Sequence, residues 1–130
     1  MTASEIARAA VAVLIEKKGI AVKLYEVGEE NPLTDFYVNS TGRSAMHVAS
    51  LADDLVDKLS ELGVKSLRVE GRRGDGWLLV DYGSVIVNVF DRESREFYNL
   101  DRLMPSESIR DISDIVDEVD KKYEISNTEE

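Results

Sequence analysis

The segment that decides the fold reads Gly76-Trp-Leu-Leu-Val-Asp-Tyr-Gly-Ser-Val-Ile-Val-Asn-Val-Phe-Asp-Arg-Glu-Ser-Arg-Glu-Phe-Tyr98. It contains two apolar runs, 78–80 and 85–90, which are separated by the turn-forming residues 81–84. β-Branched residues fill the second run, and such residues favour a buried strand over a helix. The segment therefore predicts two antiparallel strands joined by a tight turn.

The residues before this segment predict two helices and three strands. Ser4 is a capping residue and Gly19 a stop signal, which predicts a first helix with Lys17 and Lys18 in its last turn. Apolar residues recur at intervals of three and four over 44–62, which predicts an amphipathic second helix. Strands are predicted over 20–25, 36–41 and 66–70, and the glycine-rich turn 71–76 predicts a hairpin after the last of them.

The residues after Phe90 predict mainly helix. A short helix is predicted over 92–99. Apolar residues at helical spacing inside an acidic frame predict a C-terminal helix over 106–123, with residues 125–130 frayed. The element order therefore predicts an α/β fold, a small mixed β-sheet covered by helices.

Composition narrows the class of protein. A chain of 130 residues with 43% hydrophobic and 32% charged residues is typical of one globular domain. The sequence lacks cysteine, which excludes disulfides and thiolate metal sites, and no run of eighteen apolar residues occurs. The net charge of −10 opposes a nucleic-acid backbone as the main contact. We expect a cytoplasmic protein without a membrane anchor or a cofactor.

Two features suggest catalysis, and each has a simpler interpretation. His47, the single histidine, is either a general base or a group in structural hydrogen bonds, and its isolation favours the second. The turn 41–44 precedes a helix, where free amides bind anions, but the turn lacks P-loop residues and favours helix capping. The adjacent carboxylates of Asp53 and Asp54 diverge on a helix and are poorly placed to clamp a metal.

Two charged groups are interpreted as solvated surface. Arg68, Arg72 and Arg73 offer RNA a small basic patch, yet three arginines in an acidic chain are more typical of a solvated turn. The acidic residues of 111–120 alternate with apolar ones, which decorates one helix flank rather than converging on a metal.

The aromatic residues near the central segment are candidates for an interface. Aromatic side chains bury a large area with little loss of rotamer freedom, so they anchor protein interfaces as well as cores. Spacing alone predicts that Phe97 is a core residue and leaves Trp77 undecided.

The central segment, with its Trp77, Asp81-Tyr82-Gly83 turn and Glu93-x-Arg95-x-Phe97-Tyr98 ending, resembles the signature of the ribosomal silencing factor family, also called iojap-like proteins. Upstream blocks match that family in the same order and spacing: Leu33-Thr34-Asp35, Thr41-Gly42-Arg43-Ser44, His47-Val48, Ala52-Asp53 and Val69-Glu70-Gly71. The similarity covers roughly residues 6–103. The chain departs from the family pattern at Gly76, Ser84, Asn88 and Leu103-Met104.

The resemblance implies a fold and a function. The fold is an α/β sandwich with a nucleotidyltransferase-like core that lacks the catalytic motif, over residues 1–104, followed by an acidic C-terminal helix and tail over 105–130. The function is binding of the L-fourteen protein of the large ribosomal subunit, which sterically blocks subunit joining and represses translation. Free members of the family tend to be homodimers.

The resemblance also implies which residues bind the partner. Trp77 and Tyr82 supply the apolar anchor, with Tyr98 beside them. Glu70 and Asp81 face basic residues of the ribosomal protein. The competing hypotheses are a nucleotide- or phosphate-binding enzyme that uses 41–44, and a dimeric adaptor that uses its acidic C-terminal helix.

Overall fold

A computed structural model describes residues 1–72 and 74–128 and the surroundings of side chains up to Tyr123. The helices are α1 (Ala3–Glu16), α2 (Ala45–Glu61), α3 (Arg92–Tyr98) and α4 (Ser113–Thr128). The strands are β1 (Ile20–Glu26), β2 (Phe36–Thr41), β3 (Arg68–Glu70), β4 (Trp77–Asp81), β5 (Val85–Phe90) and β6 (Ile109–Arg110). Short 3-10 turns lie at Leu100–Leu103 and Ser106–Ser108.

The strands form one mixed sheet in the order β3-β4-β5-β2-β1-β6. β2 and β5 pair in parallel, and the other neighbouring pairs are antiparallel. The parallel pair requires a crossover, and the chain between these strands contains α2. The predicted α/β class and mixed sheet are confirmed.

The core lies on one face of the sheet, under α1 and α2. It consists mainly of aliphatic side chains from both layers, among them Leu14, Leu24, Leu51, Leu55, Leu59, Val38, Val80 and Val87. Alternate residues of each strand point away from this core, because side chains alternate across a sheet. The opposite face is covered only in part, by α3 and the 3-10 turn that follows it. Within the described residues, no helix is long and apolar enough to cross a bilayer.

The first helix begins and ends earlier than predicted. Thr2, not Ser4, is its cap: the Thr2 Oγ1 accepts from the Glu5 amide at 3.1 Å, and Glu5 accepts from the Thr2 amide at 2.9 Å. This reciprocal capping box satisfies two helix-end donors, which Ser4 inside the first turn cannot do. Lys17 and Lys18 lie beyond the helix, and Lys18 has a left-handed φ of 70°.

Gly19 is required for close packing rather than for a left-handed turn. A Cβ on Gly19 would lie 2.6 Å from the Ser40 hydroxyl oxygen and 2.9 Å from the Leu14 carbonyl oxygen. The glycine therefore lets the end of α1 lie directly against β2.

The C-terminal prediction is wrong over its first half. Residues 106–110 form a 3-10 turn and the edge strand β6, which pairs with Leu24 and Tyr25 of β1. The helix starts only at Ser113, where Asp111 Oδ1 accepts from the Ser113 amide at 2.9 Å. The helix continues through Thr128, past the predicted start of fraying at Ile125, and residues 129–130 lie outside the described residues.

Candidate partner-binding surface

The sheet face that α1 and α2 leave uncovered, here called the open face, carries the predicted site. Leu78 and Val80 of β4 point into the core, so Trp77, Leu79 and Asp81 point to the open face. Because β3 pairs with β4 in antiparallel register, Glu70 lies opposite Leu79, and Arg68 lies opposite Asp81. The first pair places an acidic group beside an apolar one, and the second places a basic group beside an acidic one.

Trp77 is the centre of an aromatic cluster that consists of Trp77, Phe90, Phe97 and Tyr98. Its ring stacks on Phe90 with centroids 5.2 Å apart and contacts Tyr98 at 4.7 Å. Tyr98 in turn meets Phe97 edge-on at 5.1 Å. Such pairs stabilise each other by about 0.5–1.5 kcal/mol beyond simple burial. The cluster is therefore a rigid platform.

Gly76 lets the cluster form. It has a φ of +81°, and a Cβ there would lie 2.5 Å from both Asp91 Oδ2 and Ser94 Oγ. Asp91 caps α3 by accepting from the Ser94 amide at 2.7 Å. A side chain at Gly76 would push away the helix that supplies Tyr98.

The structure brings together three of the predicted partner residues, which are Glu70, Trp77 and Tyr98. Glu70, Trp77 and Leu79, with Gly71, line a shallow depression of about 250 Å³. Tyr98 contacts Trp77 and is 47% exposed. Glu70 is also ion-paired with Arg68 at 3.2 Å. The depression thus combines an aromatic wall with a carboxylate rim.

Asp81 and Tyr82 lie at the other end of β4, about 13 Å from Trp77 at the usual rise per residue. Asp81 accepts from the Gly83 amide at 2.7 Å and from Arg68 Nε at 3.1 Å, so it holds the turn and the hairpin. Tyr82 is only 8% exposed and belongs to the core cluster. Its hydroxyl has no hydrogen-bond partner among the described groups, and burial raises its pKa to about 12.

Phe97 is not a core residue, contrary to the prediction. It is 79% exposed, because Tyr98 takes the position on α3 that packs against Trp77. Adjacent helix residues point about 100° apart, so Phe97 is turned to solvent. Leu103, from the 3-10 turn after α3, is also exposed at 74%. Phe97 contacts Tyr98 and so enlarges the apolar surface of the aromatic cluster, whereas Leu103 lines a separate depression with Glu26 and Arg110.

Sequence reasoning missed a group of polar residues beneath the aromatic cluster. Arg95 and Asp101 form an ion pair at 2.7 Å, and Asp101 also accepts from Tyr25 and Asn39. Burial alone would raise the pKa of Asp101, but hydrogen bonds from Arg95, Asn39 and Tyr25 and the charge of Arg95 outweigh it, so this pKa lies below its usual range. The only signal for this group in the sequence was strand alternation. Asn39 follows the buried Val38 and therefore lies on the opposite face of β2.

The two features that suggested catalysis are occupied by local contacts. His47 Nδ1 accepts from the Arg43 amide at 2.9 Å, and Nε2 lies 3.0 Å from the Lys17 carbonyl oxygen. The structural interpretation of His47 is thus confirmed. In the turn 41–44, the Gly42 amide donates to Phe90, and Ser44 caps α2 by accepting from His47. These amides form hydrogen bonds within the protein and are therefore not available to an anion.

Among the described residues, the arginines interpreted as solvated surface are exposed or form local ion pairs. Arg68 pairs with Glu70 and Asp81, Arg72 is exposed, and Arg73 lies outside the described residues. No set of three or more His, Cys, Asp or Glu side chains arranged to hold a metal ion is found in the part of the chain that the structure describes.

Comparison with known proteins gives consistent matches. Residues 1–130 match the family described as ribosomal silencing factor during starvation. The ribosomal silencing factor RsfS of Halalkalibacterium halodurans is 31% identical over 103 residues, which cover 79% of this chain and 88% of that protein. RsfS of Haemophilus influenzae is 31% identical over 86 residues, covering 66% of this chain and 84% of that protein.

Solved structures show the same fold. A crystal structure of a protein from Chromobacterium violaceum superposes with a TM-score of 0.77 at 31% identity, covering 80% of this chain and 87% of that chain. A protein from Bacillus halodurans superposes with a TM-score of 0.71 at 30% identity, covering 83% of this chain and 98% of that one.

Proposed function

Since the chain belongs to the ribosomal silencing factor family, we propose that it binds the large ribosomal subunit through its L-fourteen protein. Occupation of that surface keeps the small subunit from joining, and translation falls. The protein acts in the cytoplasm, and its effect depends on affinity and concentration rather than on turnover.

One observation carries the proposal: a partly exposed aromatic cluster beside a carboxylate, on a sheet face that the helices of the core do not cover. Exposed Tyr98 contacts Trp77, exposed Phe97 contacts Tyr98, and Glu70 borders the same depression as Trp77. Protein interfaces concentrate their binding energy in such aromatic anchors, surrounded by polar groups. A phosphate backbone would instead require a basic surface, so nucleic acid is not the main contact.

The proposed contacts divide by position on the open face. Trp77 and Tyr98 supply the apolar anchor, and Glu70 faces a lysine or arginine of the ribosomal protein. Asp81 and Tyr82 shape the far end of this face, Asp81 through the Gly83 turn and Tyr82 through the core. Charge complementarity of this kind mainly raises the association rate and the specificity.

The aromatic cluster also relates self-association to ribosome binding. If two free copies pair through their aromatic clusters, as an exposed apolar surface favours, the homodimer and the ribosome complex exclude each other. Large subunits added to the dimer then yield complexes with one copy each.

Co-sedimentation with purified ribosomal subunits tests the proposal. We expect the protein to migrate with the large subunit and not with the small one. Trp77→Ala should weaken binding by more than about 1 kcal/mol, because it removes the central anchor. Met46→Ala is the matched control, since Met46 is an 82% exposed apolar side chain on α2, outside the open face.

Failure of the wild-type protein to bind the large subunit at micromolar concentration would contradict the proposed function. Equal affinities of folded Trp77→Ala and Met46→Ala would remove Trp77 from the anchor.

A further inference from the structure

A row of buried polar side chains runs under the aromatic cluster and has no role in the function proposed so far. Asn39 and Asn88 are fully or almost fully buried, at 0% and 1% exposure, on neighbouring strands of the open face. Burying an amide is costly unless its groups are hydrogen-bonded. The row therefore requires partners on both sides.

The row is a continuous chain of hydrogen bonds from the indole to a carboxylate. Trp77 Nε1 donates to Asn88 Oδ1 at 3.0 Å, and Asn88 Nδ2 donates to Asn39 Oδ1 at 3.1 Å. Asn39 Nδ2 then donates to Asp101 Oδ1 at 3.1 Å. These four side chains are called the relay.

The two ends of the relay fix its direction. An indole N–H can only donate, and an ionised carboxylate can only accept. Asn39 must therefore point its amino group at Asp101, which leaves its oxygen for Asn88. Asn88 in turn must present its oxygen to Trp77. Each amide has one orientation that satisfies both neighbours, so the relay does not flip.

Arg95 anchors the carboxylate end to several elements at once. It contacts Asp101 through Nε at 2.7 Å and through Nη2 at 3.2 Å. It also donates to Thr41 Oγ1 of β2 and to the Ala21 carbonyl of β1, each at 3.0 Å. Arg95 and Tyr98 both belong to α3. The contacts of Arg95 therefore fix the position of Tyr98 together with that of Trp77.

We infer that Asn39, Asn88 and Asp101 are positioning residues that hold Trp77 in one orientation for partner binding. This inference rests on the proposed function. The relay also consumes the indole N–H, so Trp77 offers a partner only its carbon surface. The partner group that meets Trp77 is then an apolar side chain or a cation above the ring, not a hydrogen-bond acceptor.

The test uses Trp77 as its own reporter. It is the single tryptophan of the chain, so it gives one indole N–H signal in NMR spectra. Asn39→Ala breaks the relay at a residue that is 0% exposed and cannot touch a partner directly. We expect exchange of the indole N–H to quicken, and affinity for the large subunit to fall, each by roughly threefold to tenfold.

Ser40→Ala is the matched control. Ser40 is the next residue of β2, is equally buried, and has a hydroxyl without a partner in the described part of the protein. It points to the opposite face of the sheet, so both readouts should stay at wild-type values. Where Asn39→Ala does not fold, Asn39→Leu replaces it, because leucine keeps the side-chain volume and removes the same two hydrogen bonds of the relay.

A double-mutant comparison separates positioning from general stability. In a Trp77→Ala background, Asn39→Ala should cause no further loss of affinity, because the residue that it positions is absent. A further loss of the full size would overturn the inference, and so would unchanged indole exchange in Asn39→Ala. Failure of the wild-type protein to bind large subunits would refute the proposed function instead, while the exchange measurement still decides whether the relay holds Trp77.

Discussion

At the scale of single residues, Asp101 stands out because it connects several elements of the fold. Its carboxylate joins α3, β1 and β2 by accepting from Arg95, Tyr25 and Asn39. The pKa of the Tyr25 hydroxyl is raised, mainly by the burial of this group and then by its hydrogen bond to Asp101. Hydrogen bonds to an ionised group contribute more to stability than neutral ones.

We predict a loss of stability in acid that depends on Asp101. Its pKa is lower in the folded protein than in the unfolded chain. The stabilisation is therefore complete above about pH 4, the ordinary carboxyl range, and is lost as the pH falls through the depressed folded value. Urea unfolding of wild type and Asp101→Asn at pH 7 and pH 3 measures this.

The variant should be less stable at pH 7 but should lose less stability on acidification than the wild type. Parallel losses in the two proteins would show that Asp101 is not the group responsible. Glu5 and Asp111, whose pKa values are also lowered by local hydrogen bonds, remain in both proteins and cancel in the comparison.

At the scale of elements, α4 belongs to the covered side of the molecule. Ile115 is buried in the core cluster, and Arg8 of α1 forms an ion pair with Asp114. Lys18 also lies over the ring of Tyr123 at 4.5 Å. The helix thus stabilises α1 from the side opposite the aromatic cluster, and we propose that residues 105–130 are accessory to partner binding.

We predict that Ile115→Ala lowers the free energy of unfolding by about 2–4 kcal/mol, the usual cost of a cavity in a core. Val116→Ala, on the same helix but outside the core cluster, should cost much less. Thermal or urea unfolding compares the two variants. Affinity of the folded Ile115→Ala protein for large subunits should match wild type, and a selective loss of affinity would assign α4 a direct contact.

The elements that sequence predicts best are those with strong local periodicity. β2 and β5 have the predicted bounds, because Gly42 directly follows β2 and the turn 81–84 directly precedes the β-branched run of β5. β6 could not be predicted, because Ile109 fits the helical spacing of Ile112 and Val116. Its strand conformation comes from pairing with β1, a contact between residues more than eighty positions apart.

The candidate site was predictable in part, but from the family resemblance rather than from periodicity. Spacing alone left Trp77 undecided, and the resemblance implied Trp77 and Glu70, which the structure places in one depression. The relay depends on side chains from β2, β5 and the turn after α3, and only the folded sheet aligns Asn39 with Asn88. Phe97 was misplaced because residue type alone does not show which side of a seven-residue helix is covered.

At the scale of the whole molecule, net charge determines how the partner is approached. The chain carries a charge of −10, so the proposed partner, a basic ribosomal protein, would attract it over about one Debye length. This attraction raises the association rate at low salt and is screened at high salt. Residues near the contact should matter more than remote ones.

We predict that Glu70→Lys slows association with the large subunit and reduces its dependence on salt. Asp117→Lys is the control, since it makes the same change in net charge on the exposed side of α4. Stopped-flow association at several salt concentrations gives both rates. Equal slowing by the two variants would mean that the total charge acts, and that Glu70 has no special place in the contact.

Subunit joining, followed by light scattering, tests the central claim most directly. Large subunits are first mixed with the protein and then with small subunits. Joining should fall in proportion to the occupied large subunits and stop near one bound copy per subunit. Trp77→Ala should require a several-fold higher concentration for the same block, as the loss of an interface anchor implies. Normal joining by large subunits that are saturated with the wild-type protein would contradict the steric mechanism.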